Sequence, residues 1–502
     1  MEVCASTHGV GVFATRDYSV GDCVLDKEAP LALLAPSSDE QEQGLLLKWS
    51  NSQKAKDSTT LWSILTVPST VPQQFHGKFK GMIQAGLCFE TLVEKSRKES
   101  IKTELLKLYY PTERSASTPE KDIILVSQEA VDYLSGNLDL QTPKSILQKI
   151  MLVWTCNSFQ GGRIYKEMSR FNHSCNPNSI IQPHGDNQTI VAAAPISKGE
   201  EITISYLGLF VYAELPWRRA LLKKTKHFIC ECERCQSEQN DSTKDKASRV
   251  PCPDRHPRLG DFRQLDEDTQ YDDDGGVSYT SGWSIEADSN DSPKNDMAGR
   301  KSCGDDSTAK ENYQKLAKAM QQVREKVGSY LESKQNGDSR HNDDLEVEAE
   351  VLEQHLRLAS AVMGAKHWTT NQLLLIQLDE TLHSFHNELL TNDKPPDMSE
   401  LAEAIDMLQR LVAYVGELGL KLDMGHLLSS VMIGTARALV SLGDVKSQKY
   451  AVEWVDPIKE YVKHFEPEGM QKVVGTIANA WKVTAQSEGK REPTKSKKAK
   501  LV

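Results

Sequence analysis

The feature that most constrains this chain is the run Cys230-Glu231-Cys232-Glu233-Arg234-Cys235. A C-x-C-x-x-C spacing lets three thiolates converge on one tetrahedral ion, and as free thiols the same triad would be an oxidation liability. Zinc binding is therefore expected. Structural zinc sites are closed, so a fourth ligand is needed.

Composition narrows the setting. The chain has 502 residues, formal charge -11 and pI ≈ 5.7, enough length for two or three domains. The net acidity argues against direct nucleic-acid binding. There is no run of 18 apolar residues, and the start MEVCASTHGV lacks the regions of a signal peptide. No membrane association is expected, and the location expected is cytoplasmic and/or nuclear. There, ten cysteines are thiols or metal ligands rather than disulfides.

Periodicity divides the chain. Val10, Val12 and Phe13, the Gly21-Asp22 turn and Cys23-Val24-Leu25 read as strands. Residues 37–141 turn helical at Leu45-Leu46-Leu47, Ile101 to Leu108 and Ile123 to Tyr133. Strand text returns between Arg163 and Tyr206, clearest at Thr189-Ile190-Val191-Ala192 and Glu201 to Tyr206. Residues 237–312 are rich in Asp, Ser, Gly and Lys and read as a disordered acidic linker, because so few apolar side chains cannot offset ordering entropy. From 313 to 489 apolar residues such as Leu401, Ile405, Leu408, Leu411 and Val412 recur at helical spacing, and Gly419 and Gly443 mark helix ends. No strict repeat is visible, so a helical-repeat array is one form among several. Residues 490–502 are a basic tail, a weak nuclear-targeting signal. His367-Trp368 reads as core packing, and Cys252 and Cys303 as free thiols.

Two further segments carry chemistry. His8-Gly9-Val10-Gly11 allows close backbone approach to a ligand, though Gly-x-Gly turns are common and the third glycine of a dinucleotide fingerprint is missing. Ser169-Arg170-Phe171-Asn172-His173-Ser174-Cys175-Asn176-Pro177-Asn178 is a dense polar run ending in an Asn-Pro turn. Alone, it could be an ordinary loop.

In order, Gly9-Val10-Gly11, Asn157-Ser158-Phe159, Asn172 to Asn178, Gly199 to Tyr206 and the cysteine triad resemble SET-domain protein-lysine methyltransferases, most closely the SET-and-MYND subfamily. The resemblance covers roughly residues 1–36 and 150–236. It implies an α+β chain: a β-rich SET domain over 1–207 with a helical insertion at about 37–150, a post-SET zinc segment over 208–236, and an all-α C-terminal domain. It implies S-adenosylmethionine as cofactor. His8, Gly9, Val10 and Gly11 would line its amine end, and Asn157, Asn172 and His173 would hold it beside Ser169 and Phe171. Cys175 would be the fourth ligand to a structural zinc, joining Cys230, Cys232 and Cys235. Tyr206 would stand at the methyl-transfer point next to the cofactor, with Phe159 and Phe228 as channel walls, Phe228 also touching cofactor. Methyl transfer from a cationic sulfur to a lysine amine needs alignment and removal of water rather than a Lewis acid, hence a structural metal.

One departure stands out. A MYND finger needs many Cys and His residues, and 37–141 holds only Cys88 and His76, so the finger is expected to be absent. The expected function is lysine methylation of a protein, histone or other, by a monomer. The alternative is a catalytically weak scaffold docking peptides or chaperones through its helical C-terminal domain; the presence of Tyr206 favours the enzyme. Lys226 falls where relatives commonly carry a tyrosine. It is expected to point to solvent, the other reading being an ammonium beside the target lysine.

Overall fold

The computed structural model describes residues 1–6, 9–35, 67–92, 95–112, 118–138, 140–159, 162–241, 244–249, 262–264, 270–271, 277–278, 283–285, 345–391, 398–422, 425–441, 445–465, 471–477 and 479. Leu45-Leu46-Leu47, Gly443, Cys252, Cys303 and the tail 490–502 lie outside them. The chain divides into two compact units, one of residues 1–208, 216–236 and 269–278, the other of 209–215, 237–268 and 279–502.

In the first unit, β1 (Glu2–Ser6) and β2 (Gly9–Phe13) form an antiparallel hairpin. Val12 is buried, while Val10, on the same face at the start of the strand, is 52% exposed. β3 (Cys23–Glu28) follows the turn at Gly21, whose φ of 87° suits glycine. β4 (Ala32–Leu33) pairs with β5 (Arg163–Ile164). β6 (Asn172–His173), β7 (Ser179–His184), β8 (Asn187–Ala192) and β9 (Glu201–Ile204) complete the strands up to residue 208. One sheet has the order β1-β2-β9-β6 and another β3-β8-β7. Val12, Tyr165, Met168, Phe171, Ile190, Ile202 and Ile204 form the core of this β region.

The insertion is helical: α1 (His76–Glu90), α2 (Lys95–Leu105), α3 (Thr118–Asn137) and α4 (Lys144–Asn157). They enclose a separate core containing Phe79, Met82, Ile83, Leu134, Leu147 and Ile150. α1 approaches α4 closely because Gly81 has no side chain: a Cβ there would lie 2.3 Å from the Trp154 ring.

After β9, α5 (Leu215–Lys226) ends at His227, whose φ of 66° is the left-handed conformation common just past a helix C-terminus. That reversal carries Phe228 and the cysteine run, and α6 (Glu233–Asn240) begins within the run. In the stretch read as a linker, the described pieces are the end of α6, a turn of 3₁₀ helix at Lys246–Ser248, and two short ladders. These pair Phe262–Gln264 with Trp283–Ile285, and Gln270–Tyr271 with Val277–Ser278.

The second unit is built mainly of α7 (Leu345–Met363), α8 (Trp368–Thr391), α9 (Met398–Leu418), α10 (Gly425–Ser441), α11 (Val445–Val455) and α12 (Lys459–Phe465). Leu401, Leu408 and Leu411 are buried, as their spacing requires, and so are His367 and Trp368. Gly419 ends α9 at φ 66°. Among the described residues no helix is long and apolar enough to cross a membrane.

Candidate active site and metal centre

The centre of the first unit is the two-residue strand β6. It pairs in parallel with β9, Asn172 opposite Thr203 and His173 opposite Ile204, so it is held from a distant part of the chain. The Asn172 side chain then staples the sheet. Its Nδ2 donates to Glu201 Oε1 at 2.7 Å and to the Val10 carbonyl at 3.2 Å. Gly11 makes room for this, since a Cβ there would sit 2.2 Å from Glu201 Oε1 and 3.0 Å from Asn172 Nδ2. Close approach at the second glycine thus serves the sheet itself.

His173 links two chemistries. The Tyr206 backbone N–H donates to its Nδ1 at 3.0 Å, so a neutral ring carries its proton on Nε2. That nitrogen lies 3.3 Å from Cys175 Sγ. Tyr206 is therefore tied through one imidazole to the cysteine cluster. The Tyr206 hydroxyl donates to the Phe171 carbonyl at 2.5 Å. Burial, then Glu201, pushes the phenol above its ordinary range, so it stays protonated.

Aromatic rings gather around this point. His173 is 5.3 Å from Tyr206 and 6.1 Å from Phe228, and Tyr206 meets Phe228 edge-on at 6.4 Å. Phe171 is fully buried. Phe159 packs edge-on against Tyr165 at 5.5 Å and lines the same core as Tyr206. The Ser169 hydroxyl oxygen is buried without a hydrogen-bond partner, which suits contact with a polar ligand. The Asn157 amide is engaged locally: it donates to the Tyr109 and Val153 carbonyls at 2.7 and 2.8 Å, inside the helical insertion. Gly9, Val10 and Gly11 lie on β2, while His8 falls outside the described residues.

Lys226 does not point to solvent. Its Nζ donates to the Ser158 carbonyl at 3.2 Å and lies 5.5 Å from the centroid of the Tyr206 ring. Burial lowers its pKa. The expectation fails because the end of α5 brings Lys226 beside Ser158, the residue that follows α4, and turns its side chain inward.

Cys175, Cys230, Cys232 and Cys235 converge, their four Sγ atoms within 4.8 Å of one another. Among the described residues no other group of three or more Cys, His, Asp or Glu could hold a metal. Cys175 Sγ is 3.9 Å from Cys230 Sγ and 3.5 Å from Cys235 Sγ. A zinc tetrahedron with bonds of about 2.3 Å has sulfur–sulfur edges of roughly 3.8 Å, so the four residues fit that ion. Hydrogen bonding with Cys230 and its two companions drives the Cys175 thiol well below its usual range, while Cys175 and its neighbours push Cys230 up. Four thiolates cannot share so small a volume without a cation.

The surroundings supply positive charge. Backbone N–H groups of Cys175 and Cys232 donate to Cys232 and Cys230 sulfurs at 3.4 and 3.5 Å. Arg218, fully buried, brings a guanidinium nitrogen 3.8 Å from Cys235 Sγ. Arg219 and Arg234 donate to the Cys230 and Cys175 carbonyls at 3.0 Å. A tetrathiolate zinc carries two net negative charges, and a buried arginine is what such an ion requires. Sequence reading missed these arginines. The only signals were the Arg218-Arg219 pair ahead of the triad and Arg234 within it.

Comparison with known proteins agrees with this geometry. Residues 9–207 match the SET domain, so the chain carries a SET domain over that span. It is 38% identical over 96 residues to Histone-lysine N-methyltransferase SMYD3 of Mus musculus, covering 17% of this chain and 22% of that protein. It is 42% identical over 77 residues to Potential protein lysine methyltransferase SET6 of Saccharomyces cerevisiae, covering 15% and 20%. It is 30% identical over 105 residues to N-lysine methyltransferase SMYD2 of Homo sapiens, covering 21% and 24%. The matches thus span about a fifth to a quarter of the relatives' length.

Proposed function

We propose that this protein is an S-adenosylmethionine-dependent protein-lysine N-methyltransferase with a structural zinc, acting on an exposed lysine of a histone or another protein. The observation that carries the reading is the Tyr206 phenol, held by its hydroxyl on the Phe171 carbonyl and by its backbone on His173, in a SET domain.

When bound, S-adenosylmethionine supplies a methyl group on a cationic sulfur. Gly9, Val10 and Gly11 of β2, Asn172 and His173 of β6, and the unpartnered Ser169 hydroxyl would hold it. Asn157 would contribute from the end of α4 through its backbone, since its amide is engaged elsewhere. Phe228 and Phe159 would wall the acceptor channel and exclude water, which strengthens every polar contact inside. The Tyr206 oxygen, its proton committed to Phe171, keeps lone pairs with which to accept from the acceptor amine and aim its own lone pair at the methyl carbon. Zinc on Cys175, Cys230, Cys232 and Cys235 would fix the end of β6, and through His173 the position of Tyr206. A protein substrate is favoured over a small amine by the relatives' names.

The test is incubation of the purified protein with methyl-labelled S-adenosylmethionine and a protein lysate. Label on discrete bands, located on lysine side chains by mass spectrometry, is expected. Label on no protein, or on residues other than lysine, would overturn the reading.

A further inference from the structure

Lys226 is a half-buried cation with no counter-ion among the described residues. Its Nζ rests on the Ser158 carbonyl and faces the Tyr206 ring, a cation–π arrangement that accounts for its tolerance of burial. The groups around it bring no negative charge. From α4 comes Cys156, whose thiol burial pushes up to about 12, so it stays neutral. From α1 comes Lys78, itself a cation, which donates to the Lys224 carbonyl and lies against the ring of His227. His227 is neutral, its pKa lowered to about 3 by burial and then by Lys78 and Lys226. Tyr206 is a protonated phenol. Asp122, Glu120 and Glu201 act on Lys78, Cys156 and Tyr206 respectively, and none of them acts on Lys226.

We propose that Lys226 is a specificity-determining residue of the transfer site: its ammonium, set against Tyr206, disfavours cationic occupants of the methyl-transfer point and admits the acceptor amine in its neutral form. The inference rests on the reading of Tyr206 as the residue at that point. Only a neutral amine has the lone pair that attacks the methyl group, so a wall that repels the protonated form selects the reactive one. Two unit charges about 6 Å apart at an effective dielectric near 20 shift a protonation equilibrium by roughly two pH units, or up to about 100-fold. The same charge opposes the sulfonium of S-adenosylmethionine and ignores the neutral sulfur of S-adenosylhomocysteine. That asymmetry gives a test independent of any acceptor.

Dissociation constants for both compounds would be measured by calorimetry on the full chain at pH 7, for wild type, Lys226→Met and Lys226→Arg. Lys226→Met should tighten S-adenosylmethionine tenfold or more relative to S-adenosylhomocysteine, while Lys226→Arg keeps the wild-type ratio. In wild type alone, raising the pH until Lys226, whose pKa burial lowers, gives up its proton should move the ratio in the direction of the methionine variant, a readout that needs no variant to fold. A ratio that moves with neither substitution nor pH overturns the assignment and leaves the methyltransferase reading standing. Failure of wild type to bind either compound overturns both.

Discussion

Gly11→Ala adds one methyl group at the point where β2, β6 and β9 meet. The new Cβ would lie 2.2 Å from Glu201 Oε1 and 3.0 Å from Asn172 Nδ2. The carboxylate must retreat by about 1 Å or more to reach ordinary contact, and its 2.7 Å bond from Asn172 cannot survive that move. A hydrogen bond to a charged group is worth about 1.5–3 kcal/mol. Glu201 is only half-buried and can turn toward water, so the expected cost is about 2 kcal/mol, within the range for overpacking. In a unit of this size that lowers Tm by roughly 4–8 °C, read by calorimetry on the full chain. The mechanism is checked by a double-mutant cycle. In a Glu201→Ala background the nearer obstacle is gone and only the 3.0 Å approach to Asn172 Nδ2 remains, so Gly11→Ala should cost about 1 kcal/mol less than in wild type. Equal cost in both backgrounds would refute the steric argument.

Other expectations concern the metal centre and pH. Cys232→Ser should lose the single zinc equivalent, measured by elemental analysis, and weaken S-adenosylhomocysteine binding at the same time; a variant that retains one full equivalent contradicts the four-thiolate assignment. Arg218→Met should weaken zinc retention against a chelator about tenfold or more, because the thiolate charge loses its buried cation; unchanged retention would make Arg218 a packing residue. His227, lowered to about 3, refuses a proton that the unfolded chain accepts near pH 6.5. Its contribution to stability is therefore full above 6.5 and is lost as pH falls toward 3. His227→Asn, which tolerates the left-handed backbone, should flatten denaturant stability over that window, and an unchanged slope would contradict the shift.

Much of the site was legible because its residues carry spacing or order. The C-x-C-x-x-C run pointed to a metal site, the resemblance implied Cys175 as its fourth ligand, and the structure brings all four sulfurs together. The structure also sets Tyr206 and Phe228, two residues that the resemblance had singled out, beside His173. What stayed hidden is long-range or charged. β6 is two residues long and gains its identity from parallel pairing with β9, which no local pattern encodes. α5 was passed over because LPWRRALLKKTK reads as polar. Yet that helix carries Arg218, fully buried, and Lys226, turned inward, both positions that hydropathy assigns to the surface. The side-chain bonds of Asn157 were equally hidden: its amide closes α4 onto Tyr109, a long-range contact that its motif does not encode.

The central claim is that Tyr206 acts on the reacting amine, and Tyr206→Phe isolates its hydroxyl while leaving the ring against His173 and Phe228. Transfer of labelled methyl from S-adenosylmethionine to lysate proteins would be followed alongside calorimetric binding of S-adenosylhomocysteine. The account predicts transfer reduced on the order of 100-fold or more, with the dissociation constant changed less than about threefold. Wild-type transfer by the variant would contradict the account, leaving Tyr206 a wall of the site rather than its acting residue.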